Sequence, residues 1–149
     1  MRAVLQRVSR AQVRVDGAVV GRVGRGLCVL LCAMDGDTDS DAQFMARKIP
    51  SLRIFPDADG RMNLDLSALS GELLLISQFT LAADTTSGTR PSFSKAAVPT
   101  EGQRLVDLTA ELLKAQGIEV QAGIFGAKME VELVDDGPIT ILLDSRDKR

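Results

Sequence analysis

Two unbroken apolar runs constrain the fold of this chain more than any other feature. They are LCVLLCAM (Leu27–Met34) and ELLLISQFTL (Glu72–Leu81). Neither approaches the length of a membrane span. Short continuous runs of this kind suit strands buried on both faces, so the sheet that holds them must be covered on both sides. Around them lie weaker strand signals. AVLQRV and AQVRV predict two short strands, and Asp16-Gly17 predicts a hairpin turn into AVVGRV. SLRIF predicts a strand followed by the turn PDADG, and IEVQAGIF, MEVELV and ITILLD complete the sheet.

Two helices interrupt the strands. Ala42, Met45, Ala46 and Ile49 fall on one helical face, with Thr38 or Asp39 as the cap and Pro50 as the close. The second helix opens at TEGQ (Thr100–Gln103), a capping-box pattern. It buries Leu105, Leu108 and Leu112, and ends at Gly117. The result is a mixed α/β class with two main helices. No repeat or linker divides the 149 residues, so residues 1–149 are expected to form a single domain. The closing SRDKR is expected to be a frayed charged tail.

Composition narrows the chemistry. The chain has no histidine, which excludes Ser-His-Asp and Cys-His catalysis and any histidine metal site. Cys28 and Cys32 sit four apart, on one face of a strand, and are expected to be small buried thiols; no metal or other cofactor is expected. A net charge of -2 gives no general basic surface for wrapping nucleic acid, although gripping only the end of one remains open. Charges run through the first fifteen residues, unlike a signal peptide, and a cytoplasmic protein with no membrane partner is expected.

Ala82 to Pro99 shows neither helical nor strand period, and long loops in small domains are often functional. This one leaves the end of the strand SQFTL (Ser77–Leu81), where Ser77 and Phe79 would face one way and Gln78 and Thr80 the other. With no base to activate a hydroxyl, backbone N–H groups at that strand end are the better candidates for stabilising an oxyanion. A second oddity is DDGPIT (Asp135–Thr140), between MEVELV and ITILLD. A hairpin there would follow Asp-Gly with a ladder donor, and Pro138 removes it.

Three stretches together carry a resemblance: SQFTL, GTRPSF (Gly88–Phe93) and FGAKMEVELVDDGPIT (Phe125–Thr140). QRVSRAQVRVDG and ARKIPSLRIFPDADGRMNLDL extend the match over nearly the whole chain. The chain resembles the D-aminoacyl-tRNA deacylases of the widespread bacterial and eukaryotic type. The resemblance implies a homodimeric α/β fold with a barrel-like β core. It implies hydrolysis of the ester between a D-amino acid and the 3′ end of tRNA, with glycyl-tRNA mischarged on tRNA(Ala) as a further substrate. Ser77, Gln78, Phe79 and Thr80 would line the pocket, the amides of Phe79 and Thr80 would hold the oxyanion, and the substrate 2′-hydroxyl would help to activate water. Gly137-Pro138 would be a cis peptide that enters the partner's site and rejects L-amino acids, with Arg7 and Met129 matching supporting positions near it. Thr80 as a covalent nucleophile is the competing mechanism, and a non-catalytic module that binds an RNA end is the competing class. The chain departs from the family at Asp135, where many members carry Asn; a carboxylate cannot donate as an amide does.

Overall fold

Strand β1, Arg2–Val15, runs for 14 residues and organises the sheet. The computed structural model describes residues 1–147. One edge of β1 pairs antiparallel first with β3 (Gly26–Cys32) and then, past the turn, with β2 (Ala18–Val23). Its other edge pairs antiparallel with β8 (Glu130–Asp144) along almost its whole length. Parallel pairing extends the sheet from β3 to β6 (Glu72–Ser77) and on to β7 (Glu119–Ala122), while β4 (Phe55–Pro56) and β5 (Met62–Leu64) form a small separate ladder.

Alternation along these strands divides the core in two. Leu27, Val29 and Leu31 of β3 and Leu73 and Leu75 of β6 face α1 (Asp39–Ser51) and α2 (Pro99–Ala115). Cys28, Leu74 and Ile76 face the other way, onto Val8, Ala11 and Val13 of β1 and Val23 of β2. Both faces of the two apolar runs are thus buried, as their unbroken composition requires. Each fully buried leucine contributes roughly 1.5–3 kcal/mol. The second core is enclosed by the sheet itself, which curls until β2 approaches β7: a Cβ on Gly21 would lie 3.0 Å from the Ala122 carbonyl oxygen. The outcome is a nearly closed, barrel-like mixed sheet with two helices on one face.

Several local expectations need correction. AVLQRV and AQVRV are one strand, because β8 offers a continuous partner edge. Of SLRIF only Phe55 lies in a strand, since α1 runs through Pro50 to Ser51. Thr38, not Asp39, is the N-cap of α1, and the Asp41 carboxylate accepts its backbone N–H at 2.9 Å. Helix α2 begins at Pro99 with no side-chain cap, so TEGQ is not a capping box: proline at the first helical position needs no acceptor, and Thr100 already lies inside the helix. Its fully buried face includes Leu105, Val106, Thr109 and Leu113, with Leu108 and Leu112 only partly covered.

The expected tail is also structured in part. Ser145–Asp147 form a 3-10 turn, and Lys148 and Arg149 lie outside the described residues. Ser145 is buried; its N–H donates to the Met1 carbonyl at 2.8 Å and its hydroxyl to Asp41 at 2.7 Å. Beside it the Met1 ammonium pairs with Asp37 at 2.7 Å, and Asp37 also accepts the Met34 N–H at 2.6 Å. Asp37 is only 8% exposed. Asp37→Ala would strand a buried cation, at a cost of about 3–5 kcal/mol. Urea unfolding should show that loss as a lowered midpoint at unchanged m-value.

Candidate active site

The parallel pairing of β3 with β6 ends at Leu31 and Ser77, and the Gln78 N–H donates onward to the Leu31 carbonyl at 2.8 Å. β7 has already stopped pairing at Leu75. With no ladder left on either side, the chain turns: Phe79–Ala82 form a 3-10 turn. SQFTL is therefore not a continuous strand, and the strict two-sided alternation expected for it does not hold. The first N–H groups of such a turn have no acceptor inside it. Among the described residues, neither the Phe79 nor the Thr80 N–H has a hydrogen-bond acceptor. The Thr80 hydroxyl accepts from the Gln78 side-chain amide at 2.5 Å; that neighbour is neutral and is no base.

A cavity of about 580 Å³ opens beside this turn. Cys32, Ser77, Gln78, Phe79, Phe93, Phe125 and Met129 are among the residues that line it. Three of the chain's five phenylalanines thus border it. Phe79 is 58% exposed and meets Phe93 edge to face, with ring centroids 5.2 Å apart. Phe93 is held there by an ordered loop. Asp84 and Ser92 exchange backbone hydrogen bonds of 2.7 and 3.0 Å, and Lys95 bonds the Asp84 carboxylate at 2.8 Å. Lys95, with Thr86, keeps that carboxyl well below the usual carboxylate range. Burial, reinforced by the Asp37 charge, pushes the Cys32 thiol up to about 11, so it lines the cavity as a neutral, poorly reactive group. Among the described residues no group of three or more Cys, Asp or Glu is placed to hold a metal ion.

DDGPIT is not a hairpin. EVELV and ITILLD belong to the same strand β8, and the register against β1 jumps from Asp135 opposite Val8 to Thr140 opposite Gln6. Asp136 to Ile139 bulge out opposite Arg7 alone. The Gly137–Pro138 peptide is cis, and both residues are exposed. Arg7 is buried beneath them; its Nε donates to the Asp136 carbonyl at 2.9 Å and its Nη1 to the Ile54 carbonyl at 2.7 Å.

Ser77, Gln78, Phe79 and Met129 therefore meet at the cavity, with Thr80 on the adjoining turn. Gly137, Pro138 and Arg7 do not border it. Met129 lies just before β8, whereas Gly137-Pro138 of the same chain fall in the middle of that strand, so the two are not neighbours. Sequence reasoning assigned no site role to Cys32, Phe93 or Phe125. The last two lie inside GTRPSF and FGAKMEV, whereas the spacing of Cys32 from Cys28 pointed only to the core.

A nearly closed, barrel-like mixed sheet with two helices on one face and a cleft at the end of its buried strands defines a small α/β protein. The chain belongs to the D-Tyr-tRNA(Tyr) deacylase family, whose sequence model matches residues 4–144. A D-aminoacyl-tRNA deacylase of Ruegeria sp. (strain TM1040) is 54% identical over 149 residues, covering 100% of this chain and 96% of that protein. Another, from Dehalococcoides mccartyi (strain CBDB1), is 53% identical over 148 residues, covering 99% and 97%. Among solved structures, a c-Myc DNA unwinding element binding protein superimposes with a TM-score of 0.91 at 36% identity, over 97% of this chain and 98% of that one. A probable eukaryotic D-amino acid tRNA deacylase shares the fold, with a TM-score of 0.79 at 18% identity over 95% and 97%.

Proposed function

We propose that this chain hydrolyses D-aminoacyl-tRNA: water adds to the ester carbonyl, the bond to the 3′-terminal ribose breaks, and free D-amino acid and tRNA leave. The observation that carries the mechanism is the pair of unpaired N–H groups on Phe79 and Thr80 beside a cavity of about 580 Å³. They would donate to the oxyanion of the tetrahedral intermediate, a contribution worth about 10²–10³ in rate per donor. The cavity would take the terminal adenosine and the amino acid, and the substrate 2′-hydroxyl would help to activate the water, since among the described residues no Asp, Glu or Lys lines the cavity. The neutral partner of the Thr80 hydroxyl favours this mechanism over a covalent threonine.

Chiral selection would come from Gly137-Pro138 of a second copy. The protrusion is exposed and lies apart from its own cavity, which suits a role in a neighbouring site and hence a homodimer. Fixed backbone groups can refuse an L substituent without reading side-chain identity. Glycine has no substituent to refuse, so glycyl-tRNA mischarged on tRNA(Ala) would also be cleaved. A cytoplasmic setting fits this substrate, and no helix among the described residues is long and apolar enough to cross a membrane.

The test is deacylation of matched D-, L- and glycyl-tRNA at low enzyme concentration. D- and glycyl-tRNA should turn over many times while L-aminoacyl-tRNA persists. Stoichiometric binding without turnover would instead make the chain an RNA-end binding module.

A further inference from the structure

We propose that Asp135 is a positioning residue that sets the substrate discrimination of the Gly137-Pro138 protrusion; the proposal rests on the cross-subunit role just described. The bulge has two fastenings. From beneath, Arg7 holds the Asp136 carbonyl at 2.9 Å, with its Nε also 3.5 Å from the Asp136 carboxylate. Across the mouth, the Asp135 carboxylate accepts the Ile139 N–H at 3.2 Å. That bond spans Asp136, Gly137 and Pro138 and ties the two ends of the bulge together.

The bond falls where the ladder has a gap. Neither Arg7 nor Ile139 has a partner in the β1–β8 register. Pro138 has no N–H, so Ile139 carries the first donor after it. Asp135, paired opposite Val8 and half-buried, is anchored in the sheet and reaches forward to meet that donor. The position therefore requires an acceptor. A carboxylate offers only acceptors, and an asparagine can present its Oδ1 to the same N–H. Asp and Asn at this position would then do the same work, and the lack of a side-chain donor on Asp135 is immaterial.

The measurement is the ratio of D- to L-aminoacyl-tRNA hydrolysis rates for the parent, Asp135→Asn, Asp135→Gln and Asp135→Ala, with the thermal midpoint of each. Asparagine should hold the ratio within about twofold. Alanine, which deletes the acceptor, and glutamine, which displaces it by one methylene, should each lower the ratio about tenfold, the scale of one intramolecular hydrogen bond. A merely structural residue would lower both rates together and leave the ratio unmoved, which would overturn the proposal. So would an asparagine variant as indiscriminate as alanine. If the alanine variant does not fold, the glutamine variant decides. A parent with no preference for the D substrate would remove the chirality role of Gly137-Pro138 and this proposal with it. A parent preference that survives intact in Asp135→Gln would remove Asp135 alone.

Discussion

Replacing the Phe79–Thr80 amide by an ester, with the α-hydroxy analogue of threonine, should lower the rate of D-aminoacyl-tRNA cleavage by about 10²–10³. The substitution removes one N–H and keeps the side chain. Thr80→Ala makes the opposite change: it removes the hydroxyl and keeps the N–H, and should cost less than about tenfold. The asymmetry follows from the turn at Phe79–Ala82, whose first donors have no acceptor among the described residues, and from the neutral Gln78 beside the hydroxyl. Single-turnover rates on D-aminoacyl-tRNA read both changes. An acyl-enzyme trapped on Thr80, or an alanine variant slower than the ester variant, would hand the chemistry back to the hydroxyl.

Gly137→Ala should reduce kcat/KM on D-aminoacyl-tRNA by about 10- to 100-fold. Gly137 has φ +142°, which a residue with a Cβ rarely adopts. A methyl there would also lie 2.8 Å from the Ile139 nitrogen and 2.7 Å from its Cγ1. Strain of this kind costs of order 1–3 kcal/mol. It falls on an exposed bulge, so the protein should fold and the loss should appear mainly in KM. Steady-state kinetics beside a urea titration would separate the two effects. Unaltered kinetics in a folded variant would detach the protrusion from substrate binding.

Much of this architecture was legible in the residues. The LCVLLC part of LCVLLCAM and the ELLLIS part of ELLLISQFTL became strands buried on both faces because no alternation was present to expose either. Asp16-Gly17 turned the chain with φ of 50° and 80°, as that dipeptide favours. The misreadings share a cause: an element's limits were decided by a distant partner. Phe79 and Thr80 have fair strand propensity, yet the turn begins where β3 and β7 cease to pair. DDGPIT looked like the turn of a hairpin, and only the length of β1 reveals that the chain passes straight on. SRDKR read as a frayed tail because its charges hid the buried contacts of Ser145. At the candidate site, SQFTL and Gly137-Pro138 stood out by pattern. Phe93 and Phe125 did not, because a phenylalanine beside a cavity is written like one in a core.

The pairing of β1 with β8 also bears on how the chain acquires its shape. Arg2 lies opposite Asp144 and Arg14 opposite Glu130, so the longest ladder joins segments well over a hundred residues apart. Contacts so remote demand large loop closures, which slow folding. A nascent chain emerging from the ribosome can close the Asp16-Gly17 hairpin at once, but one whole edge of its central strand stays bare until β8 is synthesised. During that interval an unpaired edge of fourteen residues is open to other chains. The window for misassembly is therefore set by the time needed to translate the residues between the two strands.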